Sequence, residues 1–110
     1  MMQGDSYGIP IEIKQKDGEV VTPTVVEDVE IAVGHIIKTF KTGGVGYDAT
    51  EGKWVFILTQ EESFKLPAST VKAQVRVMWD ETHVEGASLG YIDVEESLSK
   101  EVLKWKLQPQ

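Results

Sequence analysis

Two short stretches hold the residue types of a hydrolytic centre: Gly4-Asp5-Ser6 near the start, and Asp80-Glu81-Thr82-His83 much later. A serine activated by a histidine, with a carboxylate to orient it, performs nucleophilic hydrolysis when donors await the oxyanion. Such a serine follows a buried strand, whereas only Met1–Gln3 precede Gly4. The chain also has no asparagine to donate to an oxyanion, and it is short for a fold of that kind. These residues therefore read as an N-terminal cap and a surface loop, and no catalytic residue is assigned.

Other constellations fare no better. Gly43-Gly44-Val45-Gly46 has the glycine content of a phosphate cradle. Tyr47-Asp48 follows it, where a helix N-terminus and a Lys-Ser/Thr pair are needed, so a flexible hairpin loop is expected. His35 and His83 are the only histidines. The second lies with Asp80, Glu81 and Glu85 in what reads as one solvated loop, so no metal site is expected. Glu61-Glu62 and Glu95-Glu96 are adjacent pairs whose side chains point apart, unlike paired glycosidase acids. No cofactor is expected, and the chain reads as a non-enzyme.

Binding is the better prospect. Trp54 and Trp79 fall inside strand patterns and read as core. Leu98, Val102 and Trp105 sit at i, i+4 and i+7, one stripe of a short amphipathic helix. So short a helix needs something to dock on, either its own domain or a partner. These three are the candidate partner contacts.

The elements that would position them are strands. Trp54 to Leu58 is apolar on both faces and predicts a central strand covered on both sides. Val71, Ala73, Val75, Val77 and Trp79 alternate with Lys72, Gln74 and Arg76, which predicts one buried and one wet face. Between them, Thr59-Gln60-Glu61-Glu62 is a capping box that starts one helical turn carrying Phe64, which Pro67 stops. Ile9–Ile13 alternates as a first strand, with Pro10 suited to an edge. Asp17-Gly18 marks a tight turn. Residues 29–40 predict a hairpin about Gly34-His35, and Tyr47 opens a short strand. Residues 80–86 read as a polar connection, and Leu89–Val94 as the last strand, with Gly90 at a bulge. The expectation is an all-β, immunoglobulin-like antiparallel β-sandwich of about seven strands with one short helical turn. A small open barrel is the alternative. The β domain spans residues 1–96, and residues 97–110 form an amphipathic C-terminal helix or tail.

The chain has 110 residues, room for one domain. It contains no cysteine, which removes disulfides and thiolate chemistry and fits a reducing compartment. Its formal net charge of −7 disfavours nucleic acid and anionic membrane surfaces as partners. No apolar run is long enough to span a bilayer, and the first ten residues lack the pattern of a signal peptide.

A family likeness adds to this. The features that carry it are Gly4-Asp5-Ser6-Tyr7 before an alternating strand, the Asp17-Gly18 turn and Val20-Val21-Thr22-Pro23. Trp54 to Leu58, Leu58-Thr59-Gln60-Glu61-Glu62-Ser63, Val71 to Val77 and Val94-Glu95-Glu96-Ser97-Leu98 follow in order. Together they resemble small tail or baseplate structural proteins of phages and prophages of Gram-positive bacteria. The likeness is to the N-terminal immunoglobulin-like domain of baseplate upper proteins, and it covers most of residues 4–103. It implies a virion or assembly role with other phage structural proteins or further copies as partners. It also implies host cytoplasm during assembly and the virion afterwards. It transfers no catalytic or ligand residue. A carbohydrate- or surface-binding sandwich using Tyr7, Tyr47 and Tyr91 is the competing expectation.

Overall fold

The computed structural model describes residues 1–104. Seven strands and one helical turn follow in order. They are β1 (Tyr7–Ile11), β2 (Asp28–Val33), β3 (Ile36–Thr39), β4 (Val45–Asp48), β5 (Lys53–Leu58), α1 (Gln60–Phe64), β6 (Thr70–Asp80) and β7 (His83–Asp93). They form two antiparallel sheets, ordered β1-β5-β4 and β3-β2-β6-β7. Matched to the strand letters of an immunoglobulin domain, this is B-E-D facing C′-C-F-G, with no strand in the place of A among the described residues. The expected sandwich is therefore present.

Alternation builds the core. Val71, Ala73, Val75 and Val77 of β6 are buried, and so are Val29, Ile31 and Val33 of β2. Trp54, Phe56 and Leu58 of β5 face them from the other sheet. Trp54 is the pivot. Its ring is wholly buried, its indole N–H donates to the Val21 carbonyl at 2.9 Å, and Phe40 and Tyr47 meet it edge-on at 5.2 and 5.1 Å.

One expectation is corrected at β5. It is central in its sheet but covered on one face only, and Ile57 is exposed. Gly8 lies opposite Ile57, and Val55 has Gly46 on one side and Pro10 on the other, so the flanking strands offer little side chain to cover that face.

The capping box forms as read: the Thr59 hydroxyl accepts from the Glu62 amide, and the Glu62 carboxylate accepts from the Thr59 amide. The residues that plug this end are Ser63 and Leu66, while Phe64 is half-buried.

The largest departure concerns residues 80–86. The expected seven-residue connection is a tight turn at Glu81-Thr82, and the last strand starts at His83. β7 is thus eleven residues long, with a register break at Leu89-Gly90. Helical spacing in the tail is not realised among the described residues: 97–104 run without helix. The Gln60 side chain bonds both the amide and the carbonyl of Leu103, and Gln3 accepts from Lys100. The Gln60 bonds take backbone groups of Leu103 that a marginal helix would otherwise use.

Candidate functional site

The residues suspected of chemistry are placed apart. Ser6 adjoins the N-terminal segment, which bonds to β7 at Asp93 through Met1. His83 sits at the opposite end of the same strand. Eleven residues of strand span roughly 33 Å, so Ser6 and His83 cannot act on one substrate atom. Gly4 and Asp5 have structural tasks. The Gly4 amide donates to the buried Ser63 hydroxyl at 2.8 Å, and the Asp5 carboxylate accepts from the Met2 amide. Asp80 caps its own turn by accepting from Thr82, which holds its carboxyl below the ordinary range. His83 pairs with Glu85 at 2.9 Å, both in solvent. No group of three or more potential ligands suited to a metal ion occurs among the described residues.

Gly44 is likewise structural. A Cβ there would stand 2.5 Å from the Lys38 side chain, which crosses it. Lys38 reaches the Ile57 carbonyl and the Glu62 carboxylate at 2.6 and 2.7 Å, pinning β3 to β5 and to the start of α1. Burial pushes the Glu62 carboxyl up, but Lys38 and the Thr59 bonds outweigh it and leave the pKa lowered. Glu30 is lowered chiefly by its hydrogen bond from Arg76.

A lowered folded-state pKa contributes stability above the unfolded value and loses it as pH falls through the folded one. Melting temperature is therefore expected to hold above about pH 5 and to drop below about pH 4. Glu62→Gln should cost about 1 kcal/mol at neutral pH and make the acid limb shallower. Thermal melts across that range check this; an equally steep acid limb in the variant would contradict it.

What the structure brings forward is an edge. Antiparallel pairing fixes which backbone groups each strand turns inward. The Lys72 and Met78 carbonyls accept from Gly34 and Glu27 on the β2 side, so the even residues of β6 face β2. Its odd residues face β7 and pair with Glu85, Ala87 and Ile92. Val84, Gly86 and Ser88 consequently turn their N–H and C=O groups outward. Met1–Gln3 covers only the far end of that edge, at Asp93 and Glu95. Side chains along β7 are exposed on both sides of the strand, Val84 and Tyr91 (50% and 69%) on one and Glu85 and Ala87 on the other.

Beyond β1 no further strand lies among the described residues. The inner side of β6 and β7 is left open over a cleft of about 450 Å³, closed on the other side by Ile13–Asp17 and Val21. Trp79, expected in the core, lies half-buried in its wall, and its indole N–H has no partner among the described residues.

Of the candidate partner contacts, Leu98 is fully exposed and Val102 is half-buried close to Phe64; Trp105 lies outside the described residues. Of the tyrosines, Tyr47 packs on Trp54, whereas Tyr7 and Tyr91 are exposed on different sheets.

No family model matches the chain, and no curated protein or solved structure is significantly similar to it.

Proposed function

We propose that the chain is a non-enzymatic structural module of a phage or prophage, a tail or baseplate component, that works by protein–protein contact along the open edge of β7. The observation that carries the contact is the outward backbone of Val84, Gly86 and Ser88, unpaired among the described residues, on a strand exposed on both sides. Such an edge is a template for another strand unless lysine, proline or a cover blunts it. β7 contains no lysine, arginine or proline. The phage setting rests on the sequence likeness above, and the sandwich is compatible with it.

The test is mass spectrometry of purified particles from a lysogen carrying this gene, beside one carrying Gly86→Pro. The chain should be present in the first at a stoichiometric level and depleted in the second. Its absence from particles would overturn the phage reading, and equal incorporation of the variant would overturn the edge.

A second reading, a carbohydrate-binding sandwich, is favoured by one observation: the indole of Trp79 in the wall of the cleft, with polar Gln15, Lys16 and Glu85 around it. Glycan-array binding that is lost in Trp79→Ala would support it, and silence would remove it.

A further inference from the structure

The four strand edges of the sandwich are not equivalent. In the three-stranded sheet, Ile57 donates to Gly44 on the β4 side, so Trp54, Phe56 and Leu58 face β1. Their partners there are Ile11, Ile9 and Tyr7, which leaves Gly8 and Pro10 facing outward. Pro10 has no N–H, so the edge of β1 is blunted at its middle. β3 and β4 are four residues each, and a bridge between Thr39 and Gly44 joins the two across the sheets. β7 alone offers a long run with its donors intact.

That run is also bounded. Leu89 and Gly90 break the register, with Gly90 at φ 100°, so a straight strand can pair only with the part before them. The outward residues of that part are Val84, Gly86 and Ser88, which are symmetric about Gly86.

We infer that β7 pairs antiparallel with β7 of a second copy of this chain, about a two-fold axis at Gly86, joining two four-stranded sheets into one of eight. The sequence complements itself in this register. Val84 lies opposite Ser88 and Glu85 opposite Ala87. A shift that centred on Glu85 would set two carboxylates face to face, which is unfavourable. At the axis, Gly86 and Ala87 present almost no side chain to obstruct the approach. Three hydrogen-bonded pairs give about six N–H···O bonds. An isologous contact of this kind closes as a dimer and leaves no further edge of β7 free. An area this small places the affinity at the weak end, micromolar or weaker.

This names one occupant for the edge on which the functional reading rests. The test exploits the lack of cysteine in the chain. In a hydrogen-bonded antiparallel pair, opposed Cα atoms lie about 5.5 Å apart, within disulfide reach. Gly86→Cys should therefore cross-link two copies rapidly under mild oxidation. Val84→Cys places its thiols about 13 Å apart and should cross-link at least tenfold more slowly. Sedimentation of the unmodified chain over rising concentration should show a monomer–dimer equilibrium, which Gly86→Pro shifts to monomer. That proline replaces an outward N–H and cuts no bond to β6, and circular dichroism confirms that the variant is folded. If Gly86→Pro fails to fold, the two cysteine variants decide alone. A chain that stays monomeric, or equal cross-linking by both cysteines, overturns the self-pairing. A monomer that still enters particles through β7 would sink this inference and leave the functional reading standing.

Discussion

Trp54→Ala is expected to destabilise the domain by about 4 kcal/mol, the range for removing a large aromatic from a core. Three losses coincide. The ring is wholly buried, so its full apolar surface counts. Phe40 and Tyr47 lose the edge-on contacts that they make at 5.2 and 5.1 Å. The Val21 carbonyl loses the indole donor that reaches it at 2.9 Å, and a buried acceptor left alone costs about 1 kcal/mol more. Domains of this size have about 5–15 kcal/mol in all, so the variant would lie near the edge of folding. The melting temperature should fall by roughly 15–25 °C. Trp54→Phe keeps most of the ring and should cost about half as much. A fall of only a few degrees for the alanine variant would show that Trp54 is not the pivot of the two sheets.

Gly4→Ala is expected to cost about 2 kcal/mol, although Gly4 touches no core strand. Its φ is +89°, a region that side chains strain to adopt. A Cβ there would also meet the Phe64 ring at 2.7 Å. Relief of that clash would pull the Gly4 amide from Ser63, a buried hydroxyl that also donates to the Asp5 carbonyl at 2.8 Å. The N-terminal segment would then detach from α1. Combining Gly4→Ala with Phe64→Ala separates the causes in a double-mutant cycle. The clash term should disappear in the pair, while about 1 kcal/mol of backbone strain persists. Additive losses would mean that the ring and the glycine are not in contact.

Legibility in the sequence followed burial. β6 was readable because its inner residues are buried and its outer ones wet, so alternation was clean. The capping box was readable because its two hydrogen bonds are local. From sequence β7 reads short because its first residues lie on an edge with both sides in solvent. Glu85, Gly86 and Ser88 thus carry no apolar alternation and resemble a loop. Ser63 gives no signal of its own, since its burial depends on Gly4 and Asp5, 59 and 58 residues away. The stripe of Leu98 and Val102 had the right spacing for a helix, but Gln60 and Gln3 bind the tail instead. The candidate site was therefore the least visible part, because an open edge is defined by unpaired backbone and not by residue type.

Amide hydrogen exchange along β7, followed residue by residue by NMR in dilute and in concentrated solution, tests the open edge most directly. In dilute solution the amides of Val84, Gly86 and Ser88 should exchange freely, while Glu85, Ala87 and Ile92, bonded to β6, are protected. On concentration the first three should slow and the others change little. Uniform protection of all six in dilute solution, or free exchange of all six, would contradict an open, ordered edge.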